Sequence, residues 1–206
     1  MGLESVLPTI ITGNIRGISP GIRSNKIEYI ELLAKENNAI IMTFTESHLK
    51  DRIDDNEISI NGYVSVRSDR KIREGGGVIT YVKDHLTVSC ELSESDAMND
   101  LLCIYINEIN MAIVTIYRPP DSNAESFNWC IKKTNEWIKK IQQKSDGIRM
   151  IITGDFNLGE LEDWNDEKIE KTKDRINERI HNKEVIGSKC MQTNEFIEFA
   201  EKWNLI

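Results

Sequence analysis

Four apolar runs in the sequence end on polar side chains that are able to bind a metal ion or a phosphate group. These side chains are Asn14, Glu46, the pair Tyr117 and Arg118, Asp155 and Asn157. Strand ends on one side of an open α/β sheet converge, and ligands bind at that edge, so we expect these side chains to share one site. A carboxylate at the end of a buried strand is held rigidly. Such a group suits Mg²⁺, a hard cation that takes oxygen ligands and keeps several waters.

The other polar groups at these strand ends suit phosphoryl transfer. A carboxylate two residues from an amide, as in Asp155 and Asn157, orients an attacking water and holds a phosphate oxygen, while Tyr and Arg add donors for developing charge. His48 follows Glu46 by two residues and is placed to line the same edge. Each residue alone also has a structural interpretation: Asn14 as a turn residue, Glu46 as the cap of the following turn, Asp155 as an N-cap or Asx-turn residue.

The segments that carry these residues alternate between strand-like and helix-like patterns. Strands are predicted in "LPTIITGNIRG", "AIIMTFTES", "GYVSVRSD", "GGGVITYVK", "HLTVSCEL", "LLCIYINEI", "MAIVTIYRPP" and "GIRMIITGDFN". Helices are predicted in "SNKIEYIELLAKENN" with Ser24 as N-cap, "SNAESFNWCIKKTNEWIKKIQQ" and "TNEFIEFAEKWNLI", and the charged run 166–184 is helix-like. The pattern indicates a mixed-sheet α/β architecture in which helices cover the sheet faces.

Composition excludes several classes of protein. The apolar runs are too short to span a membrane, and the four cysteines form no CxxC pair, which favours an intracellular protein without a zinc site. A formal charge of −8, from 26 basic and 34 acidic residues, argues against a surface that binds nucleic acid everywhere. The net negative charge does not exclude a local basic groove.

One local basic cluster stands out between two predicted strands: Arg67, Arg70, Lys71 and Arg73. We interpret the cluster as a solvated loop, with contact to a DNA backbone as the alternative. The glycines that follow, Gly75 to Gly77, lack the Lys-Ser/Thr of a nucleotide-binding loop and lead into a strand. They predict a hairpin.

Five motifs, in order, resemble those of the endonuclease/exonuclease/phosphatase superfamily, and within it the endonuclease domain of non-LTR retrotransposons. They are "TGNIRGI", "TESHL", "GYVSVRSDRKIREGGGVITYV", "IYRPP" and "TGDFNLGELEDWN", and "TNEFIEFAEKWNLI" is similar to the family's segment after the last motif. The resemblance implies a DNase I-like fold, a two-sheet α/β sandwich with flanking helices, formed by a single domain over residues 1–206.

The resemblance also implies a Mg²⁺-dependent phosphodiesterase. Carried over residue by residue, Glu46 would be the metal ligand, and Asn14 would lie close to the metal and the phosphate. Asp155 would orient or deprotonate the water for in-line attack.

The same resemblance assigns the substrate contacts. Asn157 would hold a phosphate oxygen, and Tyr117 would donate to the phosphate in the transition state. Arg118 would contact DNA. His48, at the edge that carries Glu46, is the second candidate for binding the substrate. In such elements the nick leaves a 3′-hydroxyl that primes reverse transcription. The expected partner is therefore DNA, with a reverse transcriptase domain downstream in the parent element, and the expected location is the nucleus.

The sequence departs from the family pattern at its C-terminus. The family continues into further strands and a Ser-Asp-His motif, whereas this sequence ends at Ile206, and none of its histidines, including His181, follows Ser-Asp. We therefore expect a domain whose last strands are missing. Loss of such a catalytic group would lower the rate by about 10²–10⁴-fold or more. Two alternatives stay open: an inactive remnant that acts at most as a binding module, and a phosphatase acting on a small phosphorylated ligand.

Overall fold

Eight strands form two four-stranded sheets in the computed structural model, which describes residues 8–18, 26–158, 171, 174, 196–200 and 202. The first sheet has the order β1–β2–β4–β3 and contains β1 (Ile10–Asn14), β2 (Ile41–Thr45), β3 (Tyr63–Ser68) and β4 (Val78–Lys83). The second has the order β5–β6–β7–β8 and contains β5 (Val88–Ser95), β6 (Asp100–Ile106), β7 (Met111–Tyr117) and β8 (Arg149–Asp155).

Each sheet contains one parallel pair, and these two pairs bring the predicted site together. Strands β1 and β2 run parallel with Asn14 opposite Thr45, the residue before Glu46. Strands β7 and β8 run parallel with Tyr117 opposite Asp155. The remaining neighbours in both sheets are antiparallel. The carboxyl ends of all four strands therefore lie at one edge of the sandwich.

Two helices cover the outer faces of the sheets. The helix α1 (Lys26–Glu36) packs Ile30 and Ala34 on the first sheet, and α2 (Ala124–Gln142) packs Trp137 and Ile141 on the second. Asn123 begins α2, because its side-chain oxygen accepts the backbone N–H of Ser126 at 2.9 Å. Because one face of each inner strand meets a helix and the other meets the opposite sheet, the strands are apolar on both faces.

Hydroxyl groups link the two sheets across this apolar interior. Buried Thr43 of β2 lies with its Oγ1 2.7 Å from Oγ1 of Thr80 in its own sheet and 2.7 Å from Oγ1 of Thr115 in the facing sheet. Thr12 of β1 and Thr153 of β8 make a second inter-sheet contact, exposed to solvent, at 2.9 Å between their Oγ1 atoms. A buried hydroxyl without a partner is costly, so the contacts of Thr43 favour one register between the sheets.

The structure confirms the fold predicted from sequence over the described residues. All eight predicted strands are present, "GYVSVRSD" and "GGGVITYVK" pair as an antiparallel hairpin, and α1 and α2 lie where the apolar spacing placed them. Residues 196–200 are helical, with Phe196, Phe199 and Ala200 buried. The predictions for Ser24, His181, Trp203 and nearly all of 166–184 fall outside the described residues. No helix in the described ranges has the length and apolar composition needed to cross a membrane.

Gly154, the residue before Asp155, is required for a reason that the sequence did not reveal. A glycine before a strand-end carboxylate is expected to permit a sharp turn, but Gly154 lies within β8, opposite Ile116. Its φ of +131° is unfavourable for any residue with a Cβ, and a Cβ there would overlap the backbone carbonyl of Ile116. Gly13, the residue before Asn14, has no atom within 4 Å of the corresponding position.

These two glycines provide a matched pair of variants. We expect Gly154→Ala to lower the free energy of unfolding by more than about 3 kcal/mol, since it combines backbone strain with a backbone overlap. Gly13→Ala should change it by less than about 1 kcal/mol. Urea unfolding followed by circular dichroism measures both. Equal effects of the two substitutions would contradict the close approach of β7 and β8 at Gly154.

Candidate active site

The two outermost strand ends of the site are joined by a hydrogen bond between side chains. Nδ2 of Asn14 donates to Oδ2 of Asp155 at 3.0 Å, connecting residues that are 141 positions apart in the sequence. Oδ1 of Asn14 accepts the backbone N–H of Arg16 at 3.1 Å. Asn14 therefore does stabilise a local turn, as one interpretation of the sequence held. Its amide also fixes the orientation of a carboxylate in the other sheet.

The segment Glu46–His48, directly after β2, is held from both sides by backbone hydrogen bonds. On one side, the carbonyls of Glu46 and Ser47 accept the N–H groups of Gly17 and Ile18. On the other, the N–H groups of Ser47 and His48 donate to the carbonyls of Gly77 and Gly76. The Glu46 carboxylate, mostly shielded from solvent, lies 3.6 Å from Nε2 of His48. His48 thus lines the same edge, half-exposed beside the acidic group.

Backbone strain is concentrated at this edge. Among the described residues, six non-glycine residues have a φ in the left-handed region, and four of them lie here: Arg16, Glu46, His48 and Asn157. Each such conformation costs about 1–3 kcal/mol and persists only where its surroundings enforce it. Strained residues cluster at functional sites, so their location supports the edge as the active site.

Tyr117 is the buried hydrogen-bond donor of the site. Its side chain is almost wholly covered, and its hydroxyl lies near the Glu46 carboxylate. Burial, followed by the negative charges of Glu46 and Asp155, raises the pKa of Tyr117 to about 12. The phenol therefore stays protonated at neutral pH and keeps a proton to donate.

Arg118 and Asn157 stabilise each other's backbone. Nη1 of Arg118 donates to the carbonyls of Phe156 at 2.9 Å and Asn157 at 3.1 Å, and Nη2 donates to that of Ser122 at 3.3 Å. Nδ2 of Asn157 donates to the Arg118 carbonyl at 2.7 Å. Arg118 is only 1% exposed, so this geometry favours a positioning role for it over direct contact with DNA. The DNA contact stays a prediction.

The structure adds to the site two residues that the sequence did not assign to it, Arg70 and Asp100. Their side chains form a buried ion pair, with Nη2 of Arg70 2.7 Å from Oδ2 of Asp100, and the Arg70 guanidinium lies 5.1 Å from the centre of the Tyr117 ring. Arg70 belongs to the basic run that was interpreted as a solvated loop. The only indication of this ion pair in the sequence is a carboxylate, Asp100, directly before an apolar run.

The oxygen donors at the edge fit a hard divalent cation. Glu46 and Asp155 supply carboxylates, and Oδ1 of Asn14 supplies a neutral oxygen. Within the described ranges, no group of three or more His, Cys, Asp or Glu side chains is arranged to hold a metal. Mg²⁺ is usually bound by one or two carboxylates and retains several waters. This small set of oxygen ligands therefore suits Mg²⁺ better than zinc.

Comparison with solved structures identifies the fold. The structure matches an AP endonuclease from Archaeoglobus fulgidus with a TM-score of 0.55 and 14% identity, covering 96% of this chain and 71% of that one. The fold is that of the endonuclease/exonuclease/phosphatase proteins. A 3′ phosphatase from Neisseria, solved with a product DNA hairpin, matches with a TM-score of 0.57 and 13% identity over 76% of this chain and 60% of that one.

A third structure carries the name of the superfamily itself. This endonuclease/exonuclease/phosphatase family protein from Bacteroides thetaiotaomicron matches with a TM-score of 0.55 and 12% identity, covering 73% of this chain and 62% of that one. The chain thus spans 60% to 71% of the length of these three proteins. No protein-family model and no curated protein matches the sequence. At these identities the comparison establishes the fold, including the two-sheet sandwich, and leaves the choice of substrate open.

The positioning role of Arg118 predicts a loss of stability. We expect Arg118→Met to lower the free energy of unfolding by about 2–4 kcal/mol, because three carbonyls lose a charged donor. The exposed Arg52→Met is the control and should change it by less than about 0.5 kcal/mol. Urea denaturation measures both. If Arg118 acted only through substrate, the two variants would be equally stable.

Proposed function

We propose that this protein is a Mg²⁺-dependent endonuclease that nicks DNA. The observation that carries the proposal is the meeting of Glu46, Asp155 and the protonated Tyr117 at the joined strand ends of two sheets. Two carboxylates and a phenol donor match the needs of phosphodiester hydrolysis, which are a positioned water and stabilisation of charge on phosphate oxygens. The fold agrees, since the matching structures include an AP endonuclease and a 3′ phosphatase.

The residues of the edge divide the reaction between them. Asp155, oriented by Asn14, accepts a proton from the water that attacks phosphorus. Tyr117 donates to a non-bridging phosphate oxygen, and Asn157 holds a phosphate oxygen through the amide N–H that is not used by the Arg118 carbonyl. The phosphorus–O3′ bond breaks and the leaving O3′ takes a proton from solvent water, which gives a 3′-hydroxyl and a 5′-phosphate. When bound beside Glu46, Mg²⁺ would neutralise charge on the phosphate.

A basic loop beside the edge supports DNA as the substrate. Of the four basic residues in this run, Arg67 and Arg70 pair with carboxylates within the fold. Lys71 and Arg73 are exposed on either side of Ile72, and Arg73 lies 3.8 Å from the exposed carboxylate of Asp121. The loop is anchored by Lys50, whose Nζ donates to the carbonyls of Arg70 and Arg73 at 3.2 and 2.8 Å. Two cations on an anchored loop suit an extended polyanion.

The finer proposal follows the sequence resemblance. A nick that leaves a 3′-hydroxyl serves to prime reverse transcription in a retrotransposon, with a reverse transcriptase as a partner in the same element and the nucleus as the place of action. A phosphatase acting on a small phosphorylated ligand is the second candidate, since a 3′ phosphatase is among the matching structures. The exposed Lys71 and Arg73 favour the polymeric substrate.

The test of the proposal is nicking of supercoiled plasmid in the presence of Mg²⁺. We expect nicking by the wild type, its loss with EDTA, a decrease of at least about 10²-fold in Asp155→Ala, and a similar decrease in Tyr117→Phe. The matched controls are Asp146→Ala, near the opposite end of the same strand, and Tyr29→Phe on the exposed face of α1.

The outcomes separate the candidate functions. Nicking that survives Asp155→Ala, or that the two control substitutions abolish equally, would contradict the assigned roles. A folded protein that hydrolyses 4-nitrophenyl phosphate but not plasmid would support the phosphatase. A folded protein inactive on both substrates would support the binding-module alternative.

The basic loop predicts a change in the salt dependence of DNA binding. The double variant Lys71→Ser/Arg73→Ser should lower the slope of log affinity against log salt by about 2, since each phosphate contact contributes about 0.9. Lys139→Ser/Lys140→Ser is the charge-matched control, because these exposed lysines end α2 at the far side of the sheet. Fluorescence anisotropy with a duplex oligonucleotide measures the slope. An unchanged slope in the loop variant would exclude this contact.

A further inference from the structure

The buried ion pair between Arg70 and Asp100 has a role that the proposed reaction does not yet include. Arg70 is 4% exposed and Asp100 is fully buried, so both charges have left water. The Asp100 carboxylate is also satisfied by the Gly77 N–H at 2.8 Å and by Oγ of Ser95 at 2.8 Å. Arg70 donates in addition to the Met98 carbonyl. A buried pair of this kind is weak evidence for stability by itself, so its location matters.

The first consequence of that location concerns Tyr117. Asp100 and Tyr117 are register partners on β6 and β7, so the carboxylate lies beside the tyrosine in the second sheet. Arg70 comes from the hairpin of the first sheet and places its guanidinium 5.1 Å from the centre of the Tyr117 ring. This distance is within the range of a cation–π contact. The pair therefore supports the ring of Tyr117, a near neighbour of Glu46.

The second consequence concerns Glu46. The N–H of Gly77 donates to Asp100, while the carbonyls of Gly76 and Gly77 accept the backbone N–H groups of His48 and Ser47. A Cβ at Gly76 would overlap both the Arg70 guanidinium and the Asp100 carboxylate, so the glycine backbone lies directly against the ion pair. The pair thus contacts the backbone of Gly76 and Gly77, and this backbone holds the segment that carries Glu46.

From these contacts we infer that Arg70, anchored by Asp100, is a positioning residue that aligns Tyr117 with Glu46 across the two sheets. The inference rests on the proposed function in one respect, since Tyr117 is taken to act on the phosphate. The geometric part stands apart from any activity: the tyrosine ring keeps its place only while the guanidinium lies against it.

The experiment compares three changes at this pair with one matched control. Arg70→Met/Asp100→Asn removes both charges, which avoids an unpaired buried charge, and the amide introduced in place of the carboxylate still offers an oxygen to Gly77. Arg70→Met alone tests the cation, and Arg70→Lys restores a positive charge. The control is Arg67→Met, an arginine of the same hairpin that pairs with Asp55 and Asp69.

Two readouts are measured for each variant. The first is the ¹⁹F resonance of Tyr117 in protein labelled with 3-fluorotyrosine, assigned among the five tyrosines with Tyr117→Phe. The second is plasmid nicking, separated into kcat and KM. We expect the double variant to shift or broaden the Tyr117 resonance and to lower kcat by about tenfold or more with KM nearly unchanged. Arg70→Lys should recover part of both, and Arg67→Met should alter neither.

The readouts distinguish failure of this inference from failure of the proposed function. If the double variant folds and keeps the wild-type Tyr117 resonance, the inference is overturned, whatever the nicking result. If the wild type does not nick, the proposed function fails, and the ¹⁹F comparison still decides whether Arg70 positions Tyr117. Failure of Arg70→Lys to recover either readout, with a folded protein, would also overturn the role of the cation.

Discussion

The register between the two sheets is the constraint on which the site depends. Asn14 and Asp155 end strands in different sheets, and the hydrogen bond between them forms only when those strands end at the same level. A slip of one residue displaces a strand by about 3.3 Å, which is more than a hydrogen bond tolerates. The buried contact of Thr43 with Thr115 favours that level from within the sandwich, and the exposed contact of Thr12 with Thr153 favours it at the edge.

Polar groups buried among apolar side chains make this register specific. Apolar packing alone tolerates small slips, whereas a buried hydroxyl or charge without a partner carries a large penalty. Thr43, Thr115, Arg70 and Asp100 are all nearly or fully buried, and each has a partner on a different strand or in the facing sheet. The Arg70–Asp100 pair lies against Tyr117, and the strained backbone of Glu46 is held by hydrogen bonds on both sides.

The sequence predicted the strands and the ends of the strands well, because each apolar run stops where the polar residues begin. It predicted that Asn14, Glu46, Tyr117 and Asp155 would converge, since parallel strands share an edge. It did not predict which atoms meet, because hydrogen bonds such as that from Asn14 to Asp155 join residues 141 positions apart. Arg70 was interpreted as part of a solvated loop and Arg118 as a DNA contact, since local sequence does not reveal that a carboxylate surrounds the first and three carbonyls the second.

We propose that strand ends from both sheets form one divalent-cation site, and paramagnetic broadening by Mn²⁺ tests this proposal most directly. Substoichiometric Mn²⁺, which broadens NMR signals of nearby nuclei, is added to ¹⁵N-labelled protein, and the backbone amide signals are followed. The account predicts that the signals of Asn14, Glu46, Tyr117 and Asp155 weaken first and together, and that Glu46→Gln removes the effect. Broadening centred on the acidic residues 51–57, or spread evenly over the surface, would contradict it.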